Sequence, residues 1–115
     1  MSLDVDLECP DCHGCDEHYA PSLWHANITH NLVPMARAAG IYDEVWRPDE
    51  HEVATADQMI APLDRGIAAL EAESDRYHVL NPENGWGSYA GFLAFLRDYL
   101  EACRKYPTAR VRVSR

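Results

Sequence analysis

Two short stretches at opposite ends of the chain alternate apolar and charged residues with a period of two. In "SLDVDLE", Leu3, Val5 and Leu7 alternate with Asp4, Asp6 and Glu8. In "ARVRVSR", Val111 and Val113 alternate with Arg110 and Arg112. Period two is the pattern of a half-buried strand. One outer face is acidic and the other basic, and opposite charges on facing strands stabilise pairing by roughly 0.2–1 kcal/mol per pair. The termini are therefore expected to lie side by side as antiparallel strands.

Between them the pattern becomes helical. Ile28, Leu32, Met35 and Ala39 recur at helical spacing in "NITHNLVPMARAAG", with Gly40 as a stop and Pro34 as a kink or the start of a second segment. "IYDEVW" adds a short turn ended by Pro48. Thr55 with Gln58 forms a capping box ahead of Ile60, Leu63, Ile67 and Leu70, in a helix that Pro62 and Gly66 should bend. The clearest helix carries Tyr89, Phe92, Leu93, Leu96, Tyr99, Leu100 and Cys103 on one stripe, with Ser88 as N-cap. Strands at the ends and about three helices between them predict an α+β fold in a single domain spanning 1–115, the helices packed on one face of a small antiparallel sheet.

Charge narrows the choice of partner. The 115 residues carry a formal net charge of −9. That disfavours a duplex nucleic-acid backbone, whose binding is driven by Lys and Arg displacing counterions, and it disfavours anionic membrane surfaces. The acidic N-terminus lacks the apolar core of a signal peptide, and no apolar run approaches membrane-spanning length. A cytoplasmic location is the expectation, and there cysteines stay reduced and favour metal over disulfides.

That matters for "ECPDCHGCDEH", in which Cys9, Cys12, Cys15 and His18 are spaced by three. A Cys-x-x-Cys turn lets two thiolates converge on one ion, and Cys15 with His18 would complete a tetrahedral zinc site. The two ligand pairs are closer in sequence than in a zinc finger, so the metal would clip its own loop over 9–18. His13 or His25 could take the place of His18. A metal-free loop, a redox pair and an iron–sulfur cluster are the other readings. The cluster needs a fourth cysteine, and Cys103 lies in a core stripe.

A polar constellation is the second candidate. Asn27, His30 and Asn31 are expected on one side of the first central helix. The loop "NPENGWGS" over 81–88, with Asn84 and Trp86, implies positive φ and close backbone approach. Together with Trp46 beside Arg47, these residues would suit a small polar ligand. Each also has a plain structural role: caps for the asparagines, a surface hydrogen bond for His30, a core plug for Trp86.

"NITHNLVPMARAAGIYDEVWRPDE", "NPENGWGSYAGFLAFL" and the closing "VSR" resemble a family of short uncharacterised proteins of bacteriophages and bacteria. The likeness covers about residues 24–115 and rests on its Asn-x-Thr-x-Asn, Trp-x-Pro and Asn-Gly-Trp-Gly stretches. It implies a setting without a mechanism, and the cysteine stretch stands outside it. The expected function is a small non-enzymatic binding protein for a polar ligand or a host protein. The rivals are an enzyme using His30 as general base or an incompletely liganded zinc, and an acidic module that mimics nucleic acid.

Overall fold

A computed structural model describes residues 2–9, 22–82, 85 and 87–115. Three strands, β1 (Ser2–Glu8), β2 (Ser22–Thr29) and β3 (Arg110–Ser114), form an antiparallel sheet in the order β2-β1-β3. The terminal strands pair as their patterns predict, with Val5 opposite Val113 and Leu7 opposite Val111. Leu3, Val5 and Leu7 are fully buried. Each such side chain contributes about 1.5–3 kcal/mol relative to exposure. On the outer face Asp6 lies opposite Arg112 and Glu8 opposite Arg110.

The middle strand in sequence was not expected as a strand. Asn27, Ile28 and Thr29 belong to β2 and not to a helix. The pattern does carry the signal, since Trp24, Ala26 and Ile28 alternate with His25, Asn27 and Thr29. The helical spacing of Ile28 and Leu32 masks it. The chain turns at Thr29, whose hydroxyl accepts the Asn31 N–H at 3.2 Å and caps a single 3-10 turn over His30–Leu32. Pro34 then sits in the first turn of α1 (Val33–Ala38), where a missing N–H costs nothing.

α1 ends in a Schellman motif. Gly40 adopts φ +74°, its N–H bonds to the Arg37 carbonyl at 3.1 Å, and the Ile41 N–H bonds to that of Ala36 at 3.0 Å. The motif drives Ile41 into the core and launches α2 (Tyr42–Trp46). A second 3-10 turn follows over Pro48–Glu50.

α3 (Asp57–Ala72) runs unbroken through Pro62 and buries Met59, Leu63, Ile67 and Leu70. Gln58 reaches back to accept the N–H groups of Ala54 and Thr55, at 2.7 and 3.1 Å. The Thr55 hydroxyl is turned to Asp57, so only half of the expected capping box forms. Gly66 is a close-approach residue: a Cβ there would lie 2.6 Å from Cδ1 of Ile41. α4 (Ser74–His78) is short, and α5 (Tyr89–Lys105) is capped by the Ser88 hydroxyl, which accepts the Gly91 N–H at 3.0 Å. α5 buries the whole predicted stripe and packs on α3 and β2.

Candidate functional site

The Schellman turn at the end of α1 builds a cleft of about 290 Å³ lined by Arg37, Gly40, Tyr42 and Asp43. It exists because Gly40 reverses the chain there, bringing the last turn of α1 beside the first of α2. The Arg37 guanidinium lies over the Tyr42 ring, 4.6 Å from its centroid. Arg47 donates from Nε to the Tyr42 hydroxyl at 3.2 Å. Hydrogen bonds from Arg47 and Arg37 lower the Tyr42 phenol below its ordinary pKa. Behind it, the Tyr42 ring stacks on Trp46 at 5.8 Å.

The charge pattern singles out Arg37. Seven of the nine arginines hold a carboxylate partner: Arg47, Arg65, Arg76, Arg97, Arg104, Arg112 and Arg115. Among the described residues Arg37 and Arg110 hold none. Both are exposed and line clefts, but Arg110 stands across the sheet from Glu8 and shares its cleft with Asp49 and Glu52, whereas Arg37 lies over an aromatic ring.

Several sequence candidates gather next to this cleft in structural roles. Trp46 is 1% exposed, packed against Phe92 and Tyr42, so its ring faces are not offered to a ligand. Its indole N–H donates to Nδ1 of His30 at 2.9 Å. That bond assigns the His30 proton to Nε2 and makes the imidazole an acceptor for a buried donor. Arg115, the last residue of the "VSR" stretch, donates to the Trp46 carbonyl at 3.0 Å and to Asp49 at 2.9 Å. Gly87, at φ +100°, lies against the same corner: a Cβ would come within 2.7 Å of Thr29 Cγ2 and 3.0 Å of Leu32 Cγ. Gly87, at positive φ, therefore lies against the end of β2 and the 3-10 turn that follows it. Asn84 and Trp86 lie outside the described residues.

Asn27 does not join His30 and Asn31 on a helical face, because β2 carries it on the outer side of the sheet. There its carboxamide donates to Asp4 and to Ser2, both at 2.8 Å. His25, next but one on the same face, lies 3.0 Å from Asp6 and 3.8 Å from Asp4. Asn31 is exposed at the 3-10 turn.

Of the four metal ligands expected, Cys12, Cys15 and His18 lie outside the described residues, as does His13. Cys9 is half-buried, immediately after β1. Among the described residues no group of three His, Cys, Asp or Glu side chains is arranged around a common point. Glu8 pairs with Ser22, so the segment that carries the expected clip joins β1 to β2.

Among the described residues no helix is long and apolar enough to cross a membrane. No family model, curated protein or solved structure matches this chain.

Proposed function

We propose that the chain is a small non-enzymatic binding protein, which takes the acidic group of a small polar ligand in the cleft beside Arg37 and Tyr42. One observation carries this reading. In a chain with nineteen acidic residues, an exposed arginine in a cleft has no carboxylate partner among the described residues. Its guanidinium rests on an aromatic ring, which limits the freedom lost when it binds. A planar fork of donors held this way suits a carboxylate or phosphate, and hydrogen bonds to charged groups contribute about 1.5–3 kcal/mol each. Asp43 on the same cleft selects for a ligand with a donor beside its acid group. A host protein could present the same chemistry through an acidic side chain or terminal carboxylate.

The zinc clip belongs to this proposal as a brace. Cys9, Cys12, Cys15 and His18 would clip the segment joining β1 to β2 with four protein ligands, leaving no open position for water. Elemental analysis after chelator-free purification should find about one zinc per chain, and metal-free protein would remove the clip from the account.

The ligand reading is tested by following backbone amide resonances during titration with inorganic phosphate, acetate and glycine. Saturable shifts at Gly40, Tyr42 and Asp43 are expected with at least one of them. Shifts that are absent, or unchanged in an Arg37→Gln variant, would contradict the cleft as the site.

A further inference from the structure

The two edges of the sheet are unlike one another. The outer edge of β3 is taken up where it starts: the Val111 N–H donates to Ala54 O at 3.0 Å and the Ala56 N–H to Ala109 O at 2.9 Å. Arg110 and Arg112 add charge along it, and Arg115 ties its end to Trp46 and Asp49. β2 is the opposite edge, and no described strand pairs with its outer side. In a chain that is 25% charged, its eight residues "SLWHANIT" contain no Asp, Glu, Lys or Arg, and no Pro or Gly. Those are the devices by which an exposed edge is usually protected from pairing. Trp24 and Ala26, on the helix side of β2, stay half-exposed, whereas their neighbours Leu7 and Val5 on β1 are fully covered.

We propose that β2 pairs antiparallel with β2 of a second copy, about a two-fold axis perpendicular to the sheet, to give a six-stranded sheet. The net charge of −9 makes two copies repel, and the uncharged edge is where they can approach most closely. The symmetry restricts the register. Side chains must stay on their own face, so one residue must stand opposite itself. Centring on His25 would set two imidazoles directly against each other. Centring on Ala26 puts two methyl groups at the axis, Trp24 opposite the partner's Ile28, and His25 opposite the partner's Asn27. Imidazole and carboxamide then alternate across the outer face, and two large apolar side chains meet on the inner one. Because the start of the β3 edge is already occupied, the arrangement closes at two copies and does not propagate as a filament. This inference is independent of the Arg37 cleft.

The test is sedimentation equilibrium of the wild-type chain beside a His25→Lys/Asn27→Lys double variant. Within one chain the new lysines stand opposite Asp6 and Asp4, which preserves the fold. Across the seam Lys at 25 would face Lys at 27, which opposes pairing. The wild type should show twice the 13.0 kDa chain mass and the variant the single mass, with unchanged circular dichroism. A wild type that stays monomeric as concentration rises, or a variant that stays dimeric, would overturn the proposal. If the variant loses its fold, amide exchange of the wild type decides the matter. Protection over 24–28 that rises with protein concentration is expected, and concentration-independent fast exchange there would overturn it.

Discussion

The indole N–H of Trp46 donates to Nδ1 of His30 across 2.9 Å, joining the end of α2 to the turn that follows β2. Trp46 is buried, so its donor would be orphaned without the imidazole. His30→Ala should therefore lower stability by about 1–3 kcal/mol in denaturant titration, the cost of an unmatched buried donor. Amide shifts on adding whichever of phosphate, acetate and glycine binds the wild type should persist in that variant. Lost binding with intact stability would instead make His30 a ligand contact.

Gly66→Ala sets a methyl group against Ile41, whose side-chain carbons would lie as close as 2.6 Å. α3 would have to move away from the Schellman turn, at about 1–3 kcal/mol. Shortening the partner by Ile41→Ala in the same chain should return part of that loss. A neutral Gly66→Ala variant by thermal melting would show that the two elements are less tightly packed than described.

How much of this was legible in the sequence depends on the kind of constraint. The terminal strands and α5 were readable because each repeats one period over a run of residues with no competing signal. β2 was lost where two periods overlap, since Ile28 fits both the alternation from Trp24 and the helical spacing to Leu32. Gly66 read as a weakness in α3, because a single sequence does not reveal that Ile41 presses on it. The candidate site divides in the same way. Trp46 and His30 stood out as unusual residues, yet each serves the other. Arg37 and Tyr42 were passed over because neither is rare; what sets Arg37 apart is a guanidinium laid over the Tyr42 ring with no described carboxylate paired to it.

Two buried groups make stability depend on alkaline pH. Burial, with a smaller contribution from Asp57, pushes the Cys103 thiol up to about 12, and burial raises the Tyr99 phenol well above its ordinary value. The unfolded chain ionises its thiol near ~8.5 and its phenol near ~10. Both groups bind protons more tightly when folded, so their contribution is complete below pH ~8.5 and is lost as pH rises toward the folded values. Denaturant midpoints should fall progressively above pH ~9, and less steeply in Cys103→Ala. Cys103 should also resist thiol reagents at pH 8 until the protein unfolds. A flat profile up to pH 11, relative to the ~8.5 and ~10 reference values, would contradict this.

The central claim is that Arg37 receives the ligand's acidic group, and the most direct measurement is the dissociation constant of the best-bound probe for wild type and Arg37→Gln. Arg37 is exposed, so thermal melting should be nearly unchanged and the comparison free of folding effects. The account predicts at least roughly tenfold weaker binding in the variant, or about 1.4 kcal/mol. Equal affinities for the two proteins would contradict it.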